Sequence, residues 1–282
     1  MKEIVIIGYG PAGISAAIYL KRAGFAPFVI GKDYGALGNY PNPIDNYYGL
    51  DTPKSGNELV ESGIEQAKRL GIEVVTDTVI ALDERDGLFE IETPSHAYRA
   101  KAVLLATGKQ RTTLDIPGSR TFRGKGISLC ATCDGYFYRK RRIGLIGYGA
   151  YMKRELEYLR RLSDEITVYT HGHELTDDIG VPIVKDRIVR FEGEERLRKI
   201  VTESASYDVD GAFIALGAPS TVEFATRLGL ITDNGRIRVN KDHQTNIEGL
   251  FAAGDMIGGR LQIAKAVCDG MNAADAIIRY LK

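Results

Sequence analysis

The sequence has no tryptophan, only three cysteines and four histidines, and no excess of either charge. Each shortage excludes something. A secreted scaffold stapled by disulfides needs many more cysteines in a much shorter chain. Thirty-seven Lys and Arg are balanced by 37 Asp and Glu. That balance argues against nucleic acid or an anionic membrane as a partner, since both are bound through an excess of basic side chains. No apolar run approaches the ~18 residues of a membrane span. The opening residues Met1 to Gly8 run straight into a strand pattern, so no signal peptide is expected and a cytoplasmic location is. With 282 residues, 44% of them hydrophobic and 26% charged, the chain reads as an ordinary globular protein of two domains.

Glycine is what the sequence has in plenty: 32 residues, with no repeat or low-complexity tract to explain them. They gather at the ends of apolar runs. Glu3 to Gly8 reads as a buried strand, Gly8-Tyr9-Gly10-Pro11-Ala12-Gly13 as a turn, and the following stretch as a helix ending near Gly24. Phe28-Val29-Ile30 is the next strand, which completes the βαβ context that gives GxGxxG its meaning. Gly8 allows the tight turn, Gly10 the approach of a pyrophosphate, and Gly13 close helix–strand packing. The helix N-terminus then offers free N–H groups to the phosphates. Asp33, 20 residues after Gly13, is placed to accept from a ribose hydroxyl.

The unit recurs. Ile143 to Ile146 is a strand, Gly147-Tyr148-Gly149 a glycine turn, Arg154 to Leu162 a helix and Glu165 to Tyr169 a strand. Two such units imply two doubly wound α/β domains. Further apolar strands run into Ala106-Thr107-Gly108, Gly217 and Gly254-Asp255, and such strand ends are where ligands bind in parallel sheets. Ile263 to Leu281 repeats apolar residues at helical spacing.

Cys130-Ala131-Thr132-Cys133-Asp134 carries a CxxC, which serves as half a zinc site, a haem attachment or a redox dithiol. Haem attachment wants His where Asp134 stands. Zinc needs about four ligands, and neither Cys268 nor the histidines pair convincingly with the motif. A redox dithiol is the favoured reading; zinc and purely structural cysteines stay open. Cys268, within the last helical pattern, is expected to be a buried small apolar residue.

Taken together, the Cys130 to Tyr138 segment, the Gly8 turn and Gly254-Asp255 resemble the low-molecular-weight thioredoxin reductase family over nearly the whole chain. Ala106-Thr107-Gly108 resembles its ATG motif, Ile44-Asp45-Asn46 its FAD-contacting asparagine segment, and Gln262-Ile263 its flavin-side helix start. The resemblance implies two Rossmann-like three-layer domains, the second inserted in the first: a FAD domain of residues 1–112 and 244–282 and a central domain of 113–243. Joins near Thr112 and Asp242 would be hinges. It implies non-covalent FAD held by Gly8, Gly10, Pro11, Ala12, Gly13, Asp33, Ala36, Leu37, Asn46, Val79, Ala106, Thr107, Gly108, Gly254, Asp255, Gln262 and Ile263. It also implies a homodimer and thioredoxin, or a protein like it, as substrate. By the same resemblance Cys133 is the thiol beside the flavin, Cys130 attacks the substrate disulfide, and Asp134 protonates the leaving thiolate; no metal takes part.

This chain departs from NADPH-using relatives in its second glycine turn. Those relatives carry GxGxxA and an HRRxxxR grip on the 2′-phosphate. Here Met152 stands at the small-residue position beside the bulk of Tyr151, and Tyr169 to Glu174 holds no arginine fork. NADPH is therefore not expected. From Pro117 to Glu165 there are 11 Lys and Arg against 5 Asp and Glu, with Arg139-Lys140-Arg141-Arg142 just past the dithiol. An acidic carrier such as ferredoxin would be steered to such a surface, and a branch of the family, the ferredoxin-dependent flavin thioredoxin reductases, is similar in lacking the NADPH motifs. Electrons falling from a ferredoxin near −400 mV to thioredoxin near −270 mV release roughly 6 kcal/mol. The alternatives are an NADPH-dependent thioredoxin reductase, a diflavin-linked oxidoreductase with a second flavin beside Tyr148 and Tyr151, and a flavin-bearing redox sensor without turnover.

Overall fold

β1 (Lys2–Ile7) shows why the first sheet is buried on both sides. Ile4 and Ile6 enter one core and Val5 and Ile7 the other, all at most 4% exposed. In a computed structural model, which describes residues 1–40, 42–108, 114–217, 225, 227–233 and 235–282, this strand is central to the first of two units. That unit comprises residues 1–110 and 220–282; the second comprises residues 111–219.

In the first unit β1 is followed by α1 (Pro11–Arg22), β2 (Pro27–Gly31), α2 (Gly35–Gly38), α3 (Gly56–Arg69), β3 (Glu73–Thr76), β4 (Ala81–Arg85), β5 (Leu88–Glu92) and β6 (Ala97–Leu105). The sheet order is β3-β2-β1-β6-β5-β4. Long β6 has two partners on its outer edge. Its first half takes β5 antiparallel, and Val103 to Leu105 take the late strand Leu250–Ala252 in parallel. The helices have clear physical origins. Pro11 starts α1 where its missing N–H costs nothing, and Ser55 with Glu58 forms a reciprocal capping box on α3. The long helix Ile263–Leu281 packs closely on α1, because Gly270 has no Cβ to meet the Ala12 carbonyl and Ser15 donates to the Val267 carbonyl at 2.7 Å.

In the second unit β7 (Ile127–Ser128) leads to α4 (Ala131–Asp134), a 3-10 turn over Gly135–Tyr138, β8 (Ile143–Gly147), α5 (Gly149–Leu159), β9 (Ile166–Tyr169) and β10 (Ile183–Val184). There follow β11 (Ile188–Gly193), β12 (Leu197–Thr202), β13 (Ser206–Asp208) and β14 (Gly211–Ala215). A parallel sheet of order β10-β9-β8-β14-β7 stands beside an antiparallel three-stranded sheet β11-β12-β13.

The return to the first unit falls near residue 220, earlier than the 244 read from the sequence. Ala225, Leu230 and Ile237 explain the difference, since all three pack in a core with Val5, Ile7 and Leu105. Asp242 accordingly lies within the first unit, where Arg279 of the long helix donates to it at 2.7 Å. Thr112 lies outside the described residues. Helix α5 begins at Gly149, five residues before the helix read from sequence, because Tyr151 and Met152 are drawn into the core. Among the described residues no helix is long and apolar enough to cross a membrane.

Candidate active site

Four adjacent parallel strands of the first unit end together. Gly8 N donates to Ile30 O (2.7 Å), Ala106 N to Ile7 O (2.8 Å) and Ala253 N to Leu105 O (3.0 Å), which carries the ladder one residue past the strands. The ends therefore bring the Gly8–Gly13 turn, Asp33, Ala106-Thr107-Gly108 and Gly254-Asp255 to one edge of the sheet. A Cβ on Gly8 would lie 2.3 Å from Ala106 O, and one on Gly13 would lie 1.9 Å from Gly8 O. Both glycines are required by packing. At Gly10 nothing lies within 4 Å of a Cβ position. Gly10 caps α1 without a side-chain hydrogen bond, and the first turn holds no acidic residue. Open space over an uncapped helix start fits a pyrophosphate.

The remaining residues read for this site are placed as follows. Asp33 is exposed; its Oδ1 accepts from Gly35 N at 2.9 Å and so shapes the start of α2, which holds Ala36 and Leu37. Asn46 Nδ2 donates to Gln262 Oε1 across 3.3 Å, linking two segments far apart in sequence, just before the helix that starts at Ile263. Val79 is buried in the core that contains Val5 and Ile7. Lys265 and Asp269 hold the Gly254 turn: the lysine donates to Gly254 O at 2.9 Å, and Asp269 Oδ2 accepts from Gly254 N at 3.1 Å. Neither was visible as a site residue in the sequence.

In the second unit Cys130 and Cys133 are joined by a disulfide, their Cα atoms 5.3 Å apart. Zinc would need both sulfurs as thiolates. Cys130 precedes α4 in an extended conformation and is buried, whereas Cys133 and Asp134 are half-buried. Two residues that sequence reasoning missed hold this turn. Ser128 Oγ donates to Asp134 Oδ2 at 2.6 Å and accepts from Cys130 N at 3.1 Å. Glu155, 1% exposed, accepts from Ala131 N through Oε2 at 2.9 Å. A signal for Glu155 existed: it shares the buried helical face of Met152, Leu156 and Leu159. Gly135 lets the turn lie against α5, since a Cβ there would lie 3.2 Å from Tyr158 and 3.3 Å from Leu159. Beyond it Tyr136 and Phe137 are exposed, beside the exposed run Arg139 to Arg142. Of that run, Arg142 is paired with Asp208 and Asp210.

At the second glycine turn, Tyr148 stacks on His173, with ring centroids 3.7 Å apart and planes at 25°. Met152 is fully buried without separating helix from strand, because Gly147 gives it room; a Cβ on Gly147 would lie 3.1 Å from that of Met152. Tyr151 is buried too, at 1% exposure. It cannot flank a second flavin as the sequence reading supposed. His171 Nδ1 accepts from Ile188 N at 3.0 Å. Burial, then the nearby Arg187 and His173, lower its pKa below the usual histidine value. Cys268 is exposed rather than buried: it lies on the outer side of the long helix, and Asn272 Nδ2 contacts its sulfur at 3.6 Å.

Residues 2–270 match the family model described as pyridine nucleotide-disulphide oxidoreductase. A curated thioredoxin reductase of Treponema pallidum is 32% identical, with 99% of this chain and 97% of that protein covered. Among solved structures, the atypical thioredoxin reductase TRi of Desulfovibrio vulgaris Hildenborough is similar at TM-score 0.88 and 36% identity, covering 100% of this chain and 98% of that one. A ferredoxin-flavin thioredoxin reductase of Clostridium acetobutylicum is similar at TM-score 0.70 and 31% identity, covering 98% and 96%. With its glycine turns at the ends of parallel strands and its Cys130–Cys133 disulfide, the chain belongs to the pyridine nucleotide-disulphide oxidoreductase family and, within it, to the thioredoxin reductases.

Proposed function

We propose that this chain is an FAD-dependent thioredoxin-disulfide reductase whose electrons come from reduced ferredoxin rather than from NADPH. One observation carries the choice of donor: the stack of Tyr148 on His173 at the second glycine turn. In a dinucleotide-binding unit the residues of that turn and those after the next strand face the cofactor's pyrophosphate and ribose. Here two of them are committed to each other, and Tyr169 to Glu174 contains no arginine to hold a 2′-phosphate. The basic run beside the dithiol, and the similarity to a ferredoxin-flavin thioredoxin reductase of Clostridium acetobutylicum, support the same donor.

The residues at the first sheet edge fit FAD. The uncapped start of α1 at Gly10 to Gly13 would hold its pyrophosphate and Asp33 a ribose hydroxyl, with Ala106 to Gly108, Gly254-Asp255, Asn46 and Gln262 along the rest of the molecule. Bound FAD would supply the exchange between single-electron delivery and the two-electron reduction of a disulfide. The chain's own dithiol performs the second half. Reduced Cys130, as thiolate, attacks one sulfur of the substrate disulfide and forms a mixed disulfide; the departing sulfur takes a proton from Asp134. Cys133, as thiolate, then attacks Cys130 Sγ, which releases the second substrate sulfur as a thiolate that takes its proton from solvent, and re-forms the Cys130–Cys133 disulfide. Substrate gains the electron pair that the dithiol loses. A homodimer and a cytoplasmic location accompany this reading.

Anaerobic mixing of the flavoprotein with reduced ferredoxin or with NADPH tests it. Ferredoxin is expected to bleach the flavin rapidly and NADPH not to do so. Fast, saturable NADPH oxidation coupled to thioredoxin reduction would overturn the choice of donor.

A further inference from the structure

In many CxxC centres the N-terminal cysteine sits at a helix start, where free backbone N–H groups stabilise its thiolate. The helix start is present here, but two of the amides nearest Cys130 are taken by side chains. Cys130 N donates to Ser128 Oγ at 3.1 Å, and Ala131 N donates to Glu155 Oε2 at 2.9 Å. These are the two amides that flank residue Cys130, so both lie within a few bonds of Sγ. Their acceptors differ in kind. Ser128 is a neutral hydroxyl already turned toward Asp134, while Glu155 is a carboxyl group buried to 1% exposure.

Burying a carboxyl group costs free energy unless hydrogen bonds repay it. A leucine in its place would suit the apolar face of Met152, Leu156 and Leu159. The Ala131 amide it accepts from belongs to the redox motif itself. The placement therefore acts on the dithiol in two ways. It withdraws a donor that would otherwise favour a Cys130 thiolate, and it sets a second negative charge near that sulfur. Both disfavour charge on reduced Cys130. Oxidising CxxC proteins are oxidising because their reduced, thiolate form is stabilised; removing that stabilisation makes a pair more reducing.

We propose that Glu155 is a positioning residue of the dithiol centre: by occupying the Ala131 amide with a buried carboxylate, it opposes thiolate formation at Cys130 and makes the Cys130/Cys133 pair a stronger reductant. The inference rests on reading Cys130 and Cys133 as the working dithiol, and it adds the residue that sets their driving force. A pair meant to reduce thioredoxin must lie at or below thioredoxin's own potential. The Glu155 carboxylate supplies a shift in that direction.

The test uses the purified flavoprotein without thioredoxin or electron donor. Equilibration with dithiothreitol redox buffers gives the dithiol–disulfide constant, and the pH dependence of iodoacetamide alkylation of the reduced protein gives the midpoint for Cys130. Glu155→Gln is expected to make the pair easier to reduce by about tenfold in that constant, about 30 mV, and to move the alkylation midpoint toward acid by about one pH unit. Glu155→Asp, which keeps the charge but draws it back by one methylene, moves both quantities part of the way, and it serves alone if the glutamine variant does not fold. A role confined to packing would lower the melting temperature and shift neither quantity. Unchanged values in a folded variant would overturn the proposal. Failure of the wild type to turn over thioredoxin would count against the function instead, leaving both measurements readable.

Discussion

Ser128 and Asp134 share a hydrogen bond of 2.6 Å, and the same serine oxygen takes the amide of Cys130 at 3.1 Å. One hydroxyl thus fixes the proposed proton donor and the attacking cysteine relative to each other. Asp134→Asn is expected to lower thioredoxin turnover by about 10²–10⁴-fold, the usual worth of a general acid. Ser128→Ala should lower it by about tenfold, roughly 1.4 kcal/mol in the barrier. Combined, the two should cost no more than Asp134→Asn alone, because the serine acts through the aspartate. Fully additive losses in steady-state kinetics would show that Ser128 acts independently.

Cys130→Ser and Cys133→Ser should each abolish thioredoxin reduction while leaving flavin content unchanged, since the flavin-side residues proposed above lie in the other unit. The two variants should differ with a substrate disulfide. Cys133→Ser retains the attacking thiol and is expected to trap a mixed disulfide visible by mass spectrometry, whereas Cys130→Ser should not. Turnover surviving in either variant would contradict the assigned roles.

Gly10 and Gly13 separate ligand from packing. A Cβ at Gly10 meets nothing within 4 Å, so Gly10→Ala should leave the melting temperature of the flavin-free protein nearly unchanged. Its methyl group would stand where a pyrophosphate is proposed to lie, and FAD affinity should fall at least about tenfold by fluorescence titration, ~1.4 kcal/mol. Gly13→Ala sets a Cβ 1.9 Å from Gly8 O and should destabilise the flavin-free protein itself by about 1–3 kcal/mol. Equal FAD binding by wild type and Gly10→Ala would exclude the proposed phosphate position.

His171 gives the second unit a pH dependence. Its Nδ1 accepts from Ile188 N, and burial, then Arg187 and His173, hold its pKa below the usual histidine value. The unfolded chain therefore binds this proton more readily than the folded one. The contribution to stability is present above the unfolded pKa and is lost as pH falls toward the lower folded pKa. His171→Asn, which tolerates the local φ of 53° and still offers an acceptor, should flatten the loss of stability as pH falls below the usual histidine value in denaturant titrations. An unchanged slope would assign the pH dependence to other groups.

Much of this is legible in the sequence alone. Strand, glycine turn and helix follow from the apolar run before Gly8 and the clash a Cβ would make at Gly8 and Gly13, both local properties of the chain. The CxxC with Asp134, the arginine-free segment after β9 and the basic run are likewise plain from residue order. Other features are set by distance in space. Whether Cys268 faces the core or solvent depends on which side of the long helix meets α1, a choice its neighbours in sequence leave open. Residues near 225 to 243 join the first unit because Ala225, Leu230 and Ile237 find a core built from β1 and β6. Tyr148 and His173 are ordinary residues until two strand ends bring their rings to 3.7 Å.

The cysteines show the division best. The sequence by itself determined that Cys130 and Cys133 stand as a CxxC apart from Cys268, because that spacing is a covalent property of four consecutive residues. Only the tertiary structure decided what surrounds that pair. Ser128 reaches it from the end of a strand and Glu155 from a helix that starts after the intervening β8, and both fill backbone amides of the motif. Hydrogen bonds of this kind depend on where folded elements stop, which no spacing along the chain encodes.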